Sequence, residues 1–145
     1  SGSTGIGFYL DGRGGQCNEN RLLACSSRNN GGTGLYLRGD ASGQCDGNTI
    51  QGNVVSKNSS QGIYILYANG NRVEANHVWG TTGGVSYGIR TSSISTGNFI
   101  LKNTCVGQVN NFALDPDDTY GPEVEAAGEL GTADGASHPW ANFSR

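Results

Sequence analysis

Residues 70–80 read GNRVEANHVWG. Residues 47–57 read GNTIQGNVVSK, and residues 97–107 read GNFILKNTCVG. Each stretch holds Gly-Asn, an apolar residue two places after the Asn, a second Asn, and another apolar residue two places after that. Apolar positions set two apart from a corner residue fit very short strands, since strand side chains alternate between faces. The two asparagines of each stretch then stand at successive corners.

The repeat extends in both directions. GFYLDGRGGQCNEN at 7–20 aligns with GLYLRGDASGQCDGN at 34–48 if the second copy carries one extra loop residue. Later copies begin GIYILYANGN at 62, GIRTSSISTGN at 88 and NFALDPDD at 111. The starts at 7, 34, 62, 88 and 111 are spaced by 27, 28, 26 and 23 residues. A fixed core with variable spacing is what stacked coils with loops produce.

Within each copy the first strand alternates. Phe8, Leu35, Ile63, Ile89 and Phe112 share one position, and Leu10, Leu37, Ile65, Thr91 and Leu114 share the next but one. These face inward. Tyr9, Tyr36, Tyr64, Arg90 and Ala113 lie between them and face outward. Leu22, Ile50, Val73 and Ile100 mark a second strand, and Val55, Val78 and Cys105 a third apolar position. Strands this short cannot bury an apolar face alone. Stacking the copies about 4.8 Å apart pairs each backbone with the coil above and below. No segment keeps a 3.6-residue period long enough for a helix. The reading is an all-β solenoid of about five coils, roughly 24 Å tall at that spacing.

Asn48, Asn71 and Asn98 then form one vertical column, and Asn53, Asn76 and Asn103 a second. Asn tolerates left-handed corner geometry, and stacked amides hydrogen-bond along the column. Asn20 keeps the first column in the first coil, while Cys25 replaces the second. This is a structural role, not a ligand row.

The pattern of GIyI…GN-x-I…N-x-V coils resembles the right-handed parallel β-helix of the pectate-lyase-like superfamily, over residues 7 to roughly 120. The resemblance implies carbohydrate-active enzymes, phage tailspikes, surface adhesins or secreted proteins of unknown role, and fold alone does not choose among them. The tail GPEVEAAGELGTADGASHPWANFSR resembles the ending of bacterial β-helix repeat proteins. The expected division is a β-helix over 1–121 and a capping segment over 122–145. Pro122 and Pro139 interrupt pairing, so the tail is expected to cross the open end of the last coil.

The chain has 145 residues, 25 of them Gly and 15 Asn, with 14% charged and a net charge of −3. That length is one domain. A weakly acidic chain without a basic cluster argues against nucleic acid, and no apolar run reaches the roughly 20 residues that cross a bilayer. The repeat is under way almost at the first residue, as in a fragment of a longer chain.

Cys17 and Cys45 end the GQC of adjacent copies. In-register neighbours about 4.8 Å apart fall within disulfide reach, and a bridge there would favour an extracellular or periplasmic home. The alternative is two stacked free thiols. Cys25 and Cys105 are three coils apart and are expected to be buried. No Cys-x-x-Cys pair points to zinc.

In the resemblance, catalytic groups stand on the outward side of the first strand and its flanking loops, as clustered carboxylates with Arg or Lys. Glycosidases need two carboxyls at matched separation. Here Asp11 and Asp115 are four coils apart, and Asp11 beside Arg38 reads as an exposed ion pair. Asp40 and Asp46 lie in or beside loops without a second carboxylate. DPDD at 115–118 is similar to the Asp-Pro-His motif of alginate epimerases of this fold, but Asp117 stands where the His would be. Asp115, Asp117 and Asp118 are the one weak calcium candidate; otherwise Pro116 ends a strand and the acids solvate a turn. His77 faces outward and His138 precedes Pro, neither with a Ser or Cys nucleophile. No cofactor is implied.

The outward row Tyr9, Tyr36, Tyr64 and Arg90, with Arg38 beside it, is the candidate binding face. Aromatic rings can stack on sugars, seal an interface or simply stack on one another. The expected function is a non-catalytic secreted or surface module, structural and binding glycan, in an extracellular or periplasmic setting. One alternative is the C-terminal part of a polysaccharide lyase, epimerase or glycoside hydrolase. Another is a subunit that self-assembles through exposed coil edges into a homo-oligomer. An enzyme would bring two carboxylates, or a carboxylate and a base, together in one cleft; a module would not.

Overall fold

The computed structural model describes residues 5–84, 86–126 and 133–145. Coil one comprises β1 (Phe8–Asp11), β2 (Arg21–Leu23) and β3 (Ser26–Arg28). Coil two comprises β4 (Leu35–Arg38), β5 (Thr49–Gln51) and β6 (Val54–Ser56), and coil three β7 (Gln61–Leu66), β8 (Arg72–Glu74) and β9 (His77–Trp79). Coil four comprises β10 (Tyr87–Thr91), β11 (Phe99–Leu101) and β12 (Thr104–Val106). β13 (Asn110–Ala113), β14 (Thr119–Tyr120) and β15 (Glu123–Glu125) follow, and β16 (Asn142–Ser144) ends the chain. All pairings between these strands are parallel, and they build three sheets.

Equivalent letters lie over one another as the repeat requires. Phe8, Leu35, Ile63, Ile89 and Phe112 pair in turn along sheet one, and Leu22, Ile50, Val73 and Ile100 along sheet two. Sheet three stacks Ser27, Val55, Val78 and Cys105. The inward residues of coils two to four are sealed: Leu37, Ile50, Ile63, Ile65, Val73, Ile89 and Ile100 are all 0% exposed. Phe8, Leu10 and Leu22 of coil one are only half-buried, because a neighbouring coil covers them on one side. Cys25, expected to be buried, is half-buried for the same reason.

The spool has four complete turns rather than five. Sheet one does hold five strands, but sheet three runs β3-β6-β9-β12-β16-β15. The chain's last strand has slid in beside β12 and displaced β15 outward by one layer. The tail therefore supplies strands to the solenoid instead of merely crossing its end. Pro122 and Pro139 do not prevent this: Pro122 stands immediately before β15 and Pro139 in the turn three residues ahead of β16, so neither takes a place in a ladder.

The corners show why the asparagines recur. In coils one to four each corner residue follows one in the left-handed region: Glu19, Gly47, Gly70 and Gly97 before the asparagines of the first column, and Ala24, Gly52, Ala75 and Lys102 before Cys25 and the asparagines of the second. The left-handed turn thus falls on the preceding residue, often Gly, and not on the Asn itself. The Asn amide does the stacking. Asn48 N and Nδ2 both donate to Asn71 Oδ1, at 2.8 and 3.0 Å, and Asn71 does the same to Asn98. The second column runs Asn53, Asn76, Asn103 and then Asn142, from the inserted strand. A third column, missed in the sequence, joins Asn30 to Asn58 at the corner after sheet three. It stops there because Thr81 and Gln108 replace Asn in the next coils, and their side-chain polar atoms are buried without partners among the described residues.

All four cysteines are free thiols, so the bridge expected between Cys17 and Cys45 is not formed. The two stand side by side as stacked free thiols: Cys45 Sγ donates to the Leu10 carbonyl oxygen, and Cys17 Sγ accepts from Asn20 Nδ2. Burial pushes the Cys45 thiol up to about 12, with the neighbouring Cys17 adding to the shift. The unfolded thiol ionises near pH 8.5, while the folded one keeps its proton. Stability from this group is therefore complete below about pH 8.5 and is lost as pH climbs toward 12. We expect denaturation midpoints to fall by the equivalent of about 2 kcal/mol between pH 8 and 10.5, with a flatter profile in Cys45→Val. A profile identical in the two proteins would remove the thiol as the cause.

Candidate functional site

The outward face of sheet one carries the tyrosine row. Tyr9, Tyr36 and Tyr64 occupy equivalent positions on paired strands, and Arg90 follows in register. Their rings stack on one another, with centroids 5.3 and 5.1 Å apart and planes within 16° and 12° of parallel. Arg90 lies 5.1 Å over the outer face of Tyr64, and Arg13 lies 5.7 Å from Tyr9. Arg90 also touches the ring of Tyr87. Cation–π contacts of this kind contribute about 0.5–1 kcal/mol each at exposed sites. Burial in the stack pushes the Tyr36 hydroxyl up from its ordinary value.

This geometry changes what the row can do. Both faces of Tyr36 are used by its neighbours, and those of Tyr9 and Tyr64 by a tyrosine and an arginine. No ring face in the row is free to lie flat against a sugar. The row offers ring edges and a line of hydroxyls.

The charged groups sort differently from the sequence expectation. Asp11 pairs with Arg13, not Arg38: Arg13 Nε and Nη2 donate to its two oxygens at 2.8 and 2.7 Å. A fork two residues away fits the carboxylate better than a side chain reaching across from the next coil. Arg13 holds the Asp11 carboxyl well below the usual carboxylate range. Arg38 is left without an ion pair among the described residues, its Nε buried and unpartnered.

Where sheet one turns toward sheet two, the loop after β4 and the ends of the next coils enclose a groove of about 330 Å³. Asp40, Gln44, Gln16, Tyr67, Asn69 and Ile94 line it. Asp40 Oδ1 pins the loop, accepting from Ser42 N and Oγ at 2.8 Å and from Gly14 N at 3.5 Å. Those hydrogen bonds, chiefly from Ser42, lower its pKa. Tyr67 occupies the corner held by Gly12 and Gly39 in the coils before it. At both of those positions an added Cβ would strike the backbone of the next coil. That break in a glycine column was the sequence signal for this residue, and the repeat reading passed over it.

The other candidates are scattered. Asp118, one of the three calcium candidates, is buried and ends the first ladder: its Oδ1 accepts from Asn98 N and Nδ2, both at 2.9 Å. Asp115 Oδ1 instead accepts from Asp117 N, as in a turn. Among the described residues no three His, Cys, Asp or Glu side chains are grouped to hold a metal. His77 is exposed on sheet three, and His138 Nδ1 accepts from Trp140 N. Asp46 Oδ1 accepts from Asn69 N in an outer ladder that continues to Thr96. Among the described residues Asp40 is the single carboxylate lining the groove. On sheet two, Arg72, Phe99, Leu101, Thr119 and Trp140 border a more apolar cleft of about 300 Å³.

A family model described as the right handed beta helix region matches residues 1–125. No curated protein and no solved structure matches the chain.

Proposed function

Because the chain belongs to the right-handed β-helix family, we propose that it is a non-catalytic module, working outside the cytoplasm, that holds a polysaccharide lengthwise along sheet one. The observation that supports this most is the straight tyrosine row capped at both ends by arginine. Tyr9, Tyr36 and Tyr64 repeat at the layer spacing, so their hydroxyls form a ruler of donors and acceptors on a face that cannot rearrange. A rigid, pre-built surface loses little conformational freedom on binding. Arg38, without a carboxylate partner among the described residues, keeps an unpaired positive charge beside the row. Binding is by hydrogen bonds from ring edges, since the ring faces are taken.

Tyr36→Phe tests this directly. It removes the central hydroxyl and leaves the stack whole. Affinity for an oligosaccharide ligand should fall roughly five- to tenfold, as for loss of one hydrogen bond of about 1 kcal/mol, with the melting temperature unchanged. Unchanged affinity in a panel of glycans that the parent protein does bind would move the site away from the row.

A further inference from the structure

We propose that the groove beside the row is the principal sugar subsite of this face, and that it takes a neutral, hydroxyl-bearing sugar ring in preference to a uronate or sulfated one. The inference rests on the glycan-binding reading above and adds where the ring sits and what charge it carries.

Three observations carry it. The first is the contrast between tyrosines. The rings of the row are stacked face to face, but Tyr67 is 41% exposed and has no ring or cation partner among the described residues. It stands with Ile94, 44% exposed, on the wall of the groove. An uncovered aromatic beside an apolar side chain is the platform a pyranose needs, and the row does not supply one.

The second is the set of unspent polar groups. Asp40 Oδ1 is fully used in holding its own loop, while Oδ2 accepts nothing among the described residues. The side-chain amides of Gln16 and Gln44 make no hydrogen bond among the described residues, and Asn69 uses only its Oδ1. A carboxylate oxygen flanked by free amides accepts and donates to a sugar's hydroxyls, with the charge strengthening the bonds it accepts. The same carboxylate repels an acidic sugar. Since Asp40 is held ionised by Ser42, that repulsion persists through the neutral range.

The third is size and rigidity. About 330 Å³ is at the small end of ligand sites, room for a short unit and not a long segment. The loop is closed by backbone hydrogen bonds between Asp40 and Gly43, and Gln44 N donates to Gly15 O in the coil beneath. The remainder of a chain would continue onto the tyrosine hydroxyls.

Calorimetric titration with neutral gluco- or galacto-oligosaccharides and with uronate oligosaccharides of equal length tests this on the whole chain and on Tyr67→Ala, Asp40→Asn and Tyr36→Phe. Asp40→Asn keeps an oxygen to hold the loop and removes the charge. The neutral set should bind the parent protein more tightly. Tyr67→Ala should lower that affinity roughly tenfold and Asp40→Asn roughly fivefold, while Asp40→Asn strengthens uronate binding. If Tyr36→Phe weakens binding but Tyr67→Ala and Asp40→Asn do not, the groove is excluded and the row still stands. Preference for uronate in the parent protein also overturns the proposal. Binding of neither set removes the glycan reading itself, and this subsite with it.

Discussion

Replacing Asn142 with alanine should cost about 3–5 kcal/mol of stability. Asn142 is 1% exposed and its side chain makes four hydrogen bonds. Its Oδ1 accepts from Asn103 N and Nδ2 at 3.0 and 3.2 Å, and its Nδ2 donates to Ile100 O and Gly121 O at 2.8 and 3.1 Å. Two of these partners have other bonds: Asn103 Nδ2 also donates to Val73 O, and Ile100 O also accepts from Gly121 N. The Asn103 N–H and the Gly121 carbonyl are left orphaned in the interior, at about 1–3 kcal/mol each, with the lost side-chain bonds added. Loss of the tail's anchor would also loosen β16 and bare the edge of β12. Urea denaturation measures the effect. Asn69→Ala is the matched control, because Asn69 fills a ladder position that water can reach. It should lose less than about 1 kcal/mol. Equal losses in the two variants would mean that burial, and not the ladder bond as such, has been misjudged.

Gly62→Ala should be at least as damaging, about 3 kcal/mol or more, or prevent folding altogether. Gly7, Gly34, Gly62 and Gly88 each precede the first inward residue of their coils. A Cβ on Gly62 would collide with Val78 Cγ1 and with the carbonyl oxygen of Gly88 in the coil above. Neither can give way. Val78 is fully buried, and the Gly88 backbone is fixed in the β7–β10 ladder. The requirement comes from close approach and not from backbone conformation, because Gly62 is not in the left-handed region. Gly84 has open space where its Cβ would lie, so Gly84→Ala should be neutral or gain up to about 1 kcal/mol. Thermal melts of the pair read the difference. A Gly62→Ala protein that melts with the parent would show that the coils can part by more than this packing allows.

Both predictions concern columns, and columns are what the repeat reveals. Ile63 over Leu35 and Ile89, Tyr36 between Tyr9 and Tyr64, and Asn71 between Asn48 and Asn98 could all be read from aligned copies. Each contact repeats at every layer, so each leaves the same letter several times over. The Asn30–Asn58 column left only two letters and was missed. Four features were written once and so carried no repeated signal: Arg13 taking Asp11, Tyr67 in a corner otherwise held by glycine, Asp118 ending a ladder, and Asn142 extending one. Register also placed Cys17 beside Cys45, and they stand there as free thiols, with Cys45 Sγ donating across the coils to the Leu10 carbonyl oxygen.

The amino-acid sequence by itself determined the winding, the inward and outward assignment of most strand residues, and the two main asparagine ladders, because parallel stacking makes every layer solve the same burial problem. Only the tertiary structure decided that β16 enters between β12 and β15, that the tyrosine rings turn their faces to one another, and that a groove opens beside Asp40 and Tyr67. Those outcomes depend on loops and a tail whose contacts occur once each, and on ring orientation, which a two-residue alternation leaves undetermined.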